Sequence, residues 1–181
     1  MKEFKMKPGL GLFISLAFIF ALSVTTSVAQ QKTKVAGTVT VADTKTETIN
    51  VGDTEDDHIL SLSGSEGTNV STGKHKFMDG SDCSYMGQAD LVKGNGTQQG
   101  YGKMSQNADS VFLEWEGHII TLSSNGRPMT TFEGTWSWTK GTGQFENIQG
   151  SGTYKGKYIS RTIWTAEWEG DYFIAPVTTK K

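Results

Sequence analysis

Aromatic residues or glycines occupy alternate positions along three runs between residues 132 and 168. The first run reads Phe132-Glu133-Gly134-Thr135-Trp136-Ser137-Trp138, and the others cover 150–158 and 164–168. Only a β-strand points successive side chains to opposite faces, whereas a helix would spread these rings around its circumference. The pattern therefore predicts half-buried antiparallel strands with one aromatic face.

The rest of the chain after residue 30 has the same organisation. In the first predicted strand, Val35, Val39 and Val41 share one face. Predicted turns or breaks lie at 43–44, 52–57, 64–67, 79–82, 93–96, 117 and 125–126. Short strands with such spacing, without a helical stripe, are typical of a sandwich or barrel. We expect one all-β domain over residues 30–181, folded as a single antiparallel eight-stranded β-barrel of the allene oxide cyclase or lipocalin kind.

The N-terminus has the composition of a secretory signal peptide. Lysines precede an apolar run from Gly9 to Val24, and Ser27-Val28-Ala29 supplies the small residues of a cleavage site. The run is shorter than the roughly 20 residues of a membrane-spanning helix. We expect residues 1–29 to be removed, giving a secreted or periplasmic protein that is not embedded in a membrane.

Charge argues against nucleic acid as a partner. Removing residues 1–29 takes three lysines and one glutamate from 17 basic and 19 acidic residues, which leaves 14 and 18. The basic residues are scattered and form no stripe that could follow a phosphate backbone. The acidic loop 53–57 lacks the ligand spacing of a calcium-binding loop. The sequence therefore predicts no metal and no nucleotide cofactor.

One segment resembles a known family. Gly141-Thr142-Gly143-x-Phe145-x4-Gly150 is similar to a hairpin of the allene oxide cyclase and dirigent proteins. The resemblance implies an eight-stranded antiparallel barrel with an apolar cavity, and it permits a homo-oligomer. Gly141 and Gly143 would allow a left-handed turn, Phe145 would plug the barrel end, and Gly150 with Gly152 would allow close approach of a neighbouring strand or ring. The motif implies a fold and assigns no catalytic residue.

Two histidines are candidates for proton transfer, because imidazole titrates near neutral pH. His58 is in phase with Leu60 and Leu62, and His118 with Ile120 and Leu122. Both could face the barrel interior, or each could cap the start of its strand at the rim.

The aromatic residues are candidates for a binding wall. All five tryptophans lie between residues 115 and 168. The predicted ligand-binding residues are Trp115, Phe132, Trp136, Trp138, Tyr154, Trp164 and Trp168. They would either line a pocket for a flat apolar molecule or form plain core, because a small eight-stranded barrel has room for its own side chains or one small ligand. Cys83, the single cysteine, is expected to be a buried apolar residue.

These features favour an exported barrel that binds a small hydrophobic molecule in an aromatic interior. The first alternative is a cyclase or isomerase acting on a hydrophobic substrate, which would need a polar group inside the barrel. The second is a non-catalytic structural or assembly protein with a filled interior. The sequence leaves open whether the protein is an enzyme.

Overall fold

The computed structural model describes residues 31–124 and 127–176. Its strands are β1 (Thr33–Asn50), β2 (His58–Ser71), β3 (Asp82–Val92), β4 (Asn95–Gln106), β5 (Asp109–Ser124), β6 (Arg127–Thr142), β7 (Ile148–Gln149), β8 (Ser151–Tyr158) and β9 (Ile163–Ile174). A 3-10 turn, Gly143–Phe145, follows β6. The expected signal peptide, residues 1–29, and the predicted turn at 125–126 lie outside the described residues. Within the described ranges, no helix has the length and apolar character to span a membrane.

Eight of these strands form a closed ring. Each pairs antiparallel with the next around the ring in the order β1, β2, β3, β4, β5, β6, β8 and β9, and β9 pairs back with β1 from Thr33↔Tyr172 to Ala42↔Ile163. The two-residue strand β7 pairs with the end of β9. The prediction of an all-β fold with one antiparallel sheet is confirmed.

The predicted alternation of side chains places the core inside the ring. On β6, Phe132, Trp136 and Trp138 are buried while Glu133 and Thr135 are exposed. The neighbouring strands contribute aliphatic and aromatic side chains to the same interior, among them Val35, Val39, Val41, Val111, Leu113, Ala166 and Trp168. Cys83 is buried among them, as expected.

The predicted turn at Asp43-Thr44 is a β-bulge. The pairing of β1 with β2 shifts register between Asp43 and Lys45, so Thr44 is an extra residue and the strand continues. The Thr44 hydroxyl donates a hydrogen bond to the carbonyl oxygen of Gly64, 3.0 Å away. β1 runs through the bulge without interruption for 18 residues.

Two other predicted breaks are absent, and the turn predicted at 93–96 is present but uses different residues. Gly67 lies inside β2, where it allows the backbone of Thr40 to approach closely, and β5 continues through Gly117. The tight turn between β3 and β4 is formed by Lys93 and Gly94, whose φ angles are 53° and 73°, and not by the Asn-Gly pair that follows. At Gly67 and Gly117, glycine marks close contact between backbones instead of a chain reversal.

Two phenylalanines close one end of the ring. Phe77, in the connection between β2 and β3, and Phe145, in the 3-10 turn, are both buried, with ring centroids 5.0 Å apart. Phe77 also contacts Trp138, with centroids 5.4 Å apart, and Tyr172, with centroids 5.0 Å apart. The expectation that Phe145 plugs one end agrees with its position, but the plug is shared with Phe77.

Candidate functional site

A cavity of about 100 Å³ lies inside the ring, and its wall is mostly aromatic. All seven aromatic residues predicted from the sequence line it: Trp115, Phe132, Trp136, Trp138, Tyr154, Trp164 and Trp168. Strands β5, β6, β8 and β9 supply them, because each of these strands turns alternate positions inward. The structure therefore brings the predicted residues together around one space, and their role towards a ligand stays a prediction.

The rings pack against one another in tilted and edge-to-face pairs. The centroids of Trp136 and Trp138 are 4.6 Å apart, and those of Trp136 and Trp168 are 5.9 Å apart. Phe132 and Trp164 meet edge to face at 5.6 Å. Such arrangements place the positive edge of one ring against the negative face of another. The wall is thus a set of contacting rings.

Glycines on adjacent strands give these rings their space. A Cβ atom added to Gly152 would lie 2.5 Å from Cζ2 of Trp136, and one added to Gly100 would lie 2.7 Å from Cζ2 of Trp115. Real Cβ atoms do not approach ring carbons so closely. The prediction that Gly152 lets an aromatic ring approach is confirmed.

The end of the ring opposite the phenylalanine plug is open. A cleft of about 570 Å³ lies there, lined by residues that include Ser61, Leu91 and Ile119. Five residues line both the inner cavity and this cleft, namely Ser63, Gly87, Gln98, Trp115 and Tyr158. The cavity and the cleft therefore adjoin, and Trp115 stands at their junction.

Several lining residues were not predicted from the sequence. Tyr85, Met104 and Tyr158 face the cavity together with the polar side chains of Ser63 and Gln98. Tyr85 alternates with Cys83 and Gly87 along β3, which is a signal that could have identified it. Gln98 carried no such signal, because its inward position depends on the register of β4.

The tyrosines in this wall are neutral near physiological pH. Burial raises the pKa of Tyr85 well above its ordinary value, and burial also raises the pKa of Tyr154. Burial, with a contribution from the Asp43 carboxylate, raises the pKa of Tyr158 to about 12. The hydroxyl of Tyr154 donates to the carbonyl oxygen of Glu116 at 3.2 Å. These phenols can donate hydrogen bonds, but they do not supply a base.

A carboxylate, Asp43, lines the outer cleft. Its Oδ1 accepts a hydrogen bond from Oγ of Ser65 at 2.8 Å and another from Nε1 of Trp164 at 3.1 Å. Ser65 and Trp164 themselves line the inner cavity. Asp43 thus holds two wall residues in place from the side of the cleft.

The two candidate histidines lie on the outer face of the ring. His118 is exposed, as are Ile120 and Leu122, with which it is in phase. His58 shares its face with the exposed Leu60. The expectation that these histidines could face the interior is therefore wrong, because the apolar residues beside them belong to the solvent face.

His58 has its own partners at the rim. Its Nδ1 lies 2.7 Å from Oδ1 of Asp53, and its Nε2 lies 2.7 Å from Oδ1 of Asp90. The hydrogen bonds to Asp53 and Asp90 raise the pKa of His58 above 6.5. In the described part of the chain, no three His, Cys, Asp or Glu side chains converge as metal ligands. The position of His58 matches the rim-capping alternative.

The fold and its interior define an all-β protein with a closed ring of strands and an aromatic cavity. No protein-family model matches the sequence, and the search of curated proteins found no match. Among solved structures, the chain is similar to a pterocarpan synthase dirigent protein, with 12% sequence identity over 81% of this chain and 93% of that chain and a TM-score of 0.31.

Proposed function

We propose that the ring is a closed β-barrel of the allene oxide cyclase or lipocalin kind and that the protein, exported after removal of residues 1–29, binds a small apolar molecule in the barrel. One observation carries the proposal: the aromatic cavity adjoins an open cleft, and none of the described residues that line the cavity itself is charged. Binding sites for small molecules are typically concave and apolar, with a few polar groups.

The size of the cavity limits the occupant. An apolar cavity of roughly 150 Å³ holds one benzene molecule. The inner cavity, at about 100 Å³, takes only part of an aromatic ring system, so the remainder extends past Trp115 into the cleft. A flat molecule lying along the barrel axis would fill both the inner cavity and the cleft.

Simple binding is favoured over a cyclase or isomerase activity. An enzyme that moves a proton needs a group that changes its protonation state near neutral pH. The lining residues offer hydroxyls, one amide and neutral phenols, while His58 and His118 lie outside and Asp43 is held by Ser65 and Trp164. This arrangement supports binding and orientation, and it gives no specific support to acid–base catalysis.

A structural or assembly role is the second candidate, and a feature of the outer face favours it. Met86 and Tyr101 are cross-strand partners with 73% and 68% of their surfaces exposed. Apolar side chains at these positions suit contact with a second copy of the chain. Such an oligomer is compatible with a ligand inside each barrel.

Native mass spectrometry of the protein from its natural source tests these proposals. A co-purifying small molecule would support binding, and the same spectrum would give the number of subunits. The substitution Ser63→Leu adds bulk where cavity and cleft meet and should abolish the bound mass. The control, Thr68→Leu, places the same leucine side chain on the exposed outer face of β2 and should keep the bound mass. Binding would be contradicted if the protein from its natural source showed only the mass of its polypeptide and if added flat apolar compounds did not bind to it.

A further inference from the structure

The inward face of β1 ends in a carboxylate. Val39 and Val41 are buried inside the ring, and Asp43 is the next residue in phase with them, directly before the bulge. Asp43 lines the cleft, while its two hydrogen-bond donors, Ser65 and Trp164, line the inner cavity. The carboxylate therefore lies where the cavity and the cleft meet, in direct contact with the aromatic wall.

Only one oxygen of this carboxylate is bonded within the described part of the chain. Oδ1 accepts both hydrogen bonds, from Ser65 at 2.8 Å and from Trp164 at 3.1 Å. Oδ2 accepts none from the described residues, yet it is not one of their fully buried, unpartnered polar atoms. Oδ2 is therefore accessible from the cleft that Asp43 lines.

The negative charge of Asp43 has no positive partner among the described residues. None of their ion pairs includes Asp43. Arg161 also lines the cleft, but it is exposed in the turn between β8 and β9. Withdrawing a carboxylate from water without a counter-ion is costly. Because Asp43 is half-buried, a cation bound beside it would offset this cost.

Aromatic rings border the same place. Trp164 packs against Tyr85 and Phe132, with ring centroids 5.5 Å and 5.6 Å apart, and Tyr158 lines both the cavity and the cleft. Burial, together with the charge of Asp43, raises the pKa of Tyr158 to about 12, so the field of the carboxylate reaches this neutral ring. Aromatic rings attract cations through the negative charge of their faces. The surroundings of Asp43 thus suit a cation attached to an aromatic body.

We infer that the ligand has a flat aromatic body with one alkylammonium group, the body lying in the cavity and the ammonium on Oδ2 of Asp43. This inference rests on the proposed function and adds the polar end of the ligand. An alkylammonium group is charged at neutral pH, since the lysine amine has an ordinary pKa of about 10.4. A carboxylate in its place would be repelled by Asp43, and a hydroxyl would bond to Asp43 without neutralising its charge.

Three compounds with one aromatic body test the inference. They are 2-(2-naphthyl)ethylamine, 2-(2-naphthyl)ethanol and 3-(2-naphthyl)propanoate, which end in an ammonium, a hydroxyl and a carboxylate. Isothermal titration calorimetry measures their dissociation constants for the wild-type protein. The amine should bind at least about tenfold more tightly than the alcohol, near the lower end of the coupling between close charge pairs.

Two results with the wild-type protein would overturn the inference while leaving ligand binding intact. One is binding of the alcohol as tight as that of the amine, or tighter. The other is tightest binding by the propanoate, which would assign the cleft to an anion held by Arg161.

The variant Asp43→Asn removes the charge and keeps a side-chain oxygen for Ser65 and Trp164. The preference for the amine over the alcohol should fall about tenfold. The matched control is Asp57→Asn, the same chemical change at an exposed residue that lines neither the cavity nor the cleft. Its preference should equal that of the wild type. An unchanged preference in Asp43→Asn, or an equal loss in both variants, would overturn the inference.

A measurement on the wild-type protein decides the matter if Asp43→Asn does not fold. In the complex with the amine, the CH₂ group next to the nitrogen should show NOEs to the indole N–H of Trp164, which donates to Asp43. The naphthyl protons should show NOEs to Trp136, which lines the inner cavity and not the cleft. The reverse orientation would overturn the inference. Failure of all three compounds to bind would contradict the proposed function as well.

Discussion

The indole nitrogen of Trp168 donates a hydrogen bond to the side-chain oxygen of Asn69, 2.9 Å away. The Asn69 amide nitrogen in turn donates to the carbonyl oxygens of Met78, at 2.8 Å, and Phe77, at 3.3 Å. Asn69 is completely buried. The Asn69 side chain therefore links two parts of the structure. It joins the segment between β2 and β3, which carries Phe77, to Trp168 in the aromatic wall of the cavity.

Replacing Asn69 with alanine should destabilise the protein. The change leaves the Trp168 N–H without its acceptor and the Phe77 carbonyl without the Asn69 donor, and each unpaired buried group costs about 1 to 3 kcal/mol. We expect the free energy of unfolding to fall by at least about 2 kcal/mol in urea titrations. Thr68→Ala, on the exposed face of the same strand, should change it by less than about 0.5 kcal/mol. Similar values for the two variants would contradict the role assigned to Asn69.

Glycine at position 152 should be required by the Trp136 ring. In Gly152→Ala the new methyl group would collide with the carbonyl oxygen of Glu169 and with Trp136. Overpacking of this kind costs about 1 to 3 kcal/mol. Gly64→Ala is the control, because its nearest neighbour would be Oγ1 of Thr44 at 3.6 Å. Thermal unfolding should show a lower Tm for the first variant only, and equal Tm values would refute the steric argument.

The imidazole of His58 should titrate above pH 6.5. Hydrogen bonds to Asp53 and Asp90 favour the protonated ring, which raises the pKa of His58. The stabilising contribution of the charged ring is complete below pH 6.5 and is lost as the pH rises through the raised pKa. NMR titration of the ring protons measures this value directly. Asp53→Asn should lower it, and a pKa at or below 6.5 in the wild type would contradict the pairing.

The thiol of Cys83 should be unreactive in the folded protein. Burial raises the pKa of Cys83 to about 11, so the thiolate that reacts with alkylating reagents is scarce at pH 8. Mass spectrometry after treatment with iodoacetamide at pH 8 should find native protein unmodified and urea-unfolded protein fully modified. Rapid modification of the native protein would indicate that β3 opens or that Cys83 is accessible.

The phase of each strand was predictable from the sequence, because alternation is a local property of extended backbone. The inward set Val35, Val39 and Val41 and the aromatic set on β6 followed from it directly. The direction of a face was not predictable where both faces carry apolar residues. His118 was correctly grouped with Ile120 and Leu122, but this group lies on the solvent side.

Interruptions of the strands were the least predictable feature. Asp43-Thr44 has the composition of a turn and forms a bulge, and Asn95-Gly96 lies in a strand directly after the turn made by Lys93 and Gly94. Glycine allows both a chain reversal and a close approach of two strands. The choice between them depends on the neighbouring strand, which a local reading of the sequence does not include.

The sequence by itself determined an all-β chain with an aromatic inner face, since side-chain spacing and residue type act over a few neighbouring positions. Only the tertiary structure decided how the strands close into a ring and which acceptors the indole N–H groups of Trp136, Trp164 and Trp168 meet. Those outcomes depend on register between strands far apart in the chain: Trp168 meets Asn69 across 99 positions. Hydrogen bonds between residues this far apart in the chain determine which polar groups of the cavity wall are already bonded within the protein.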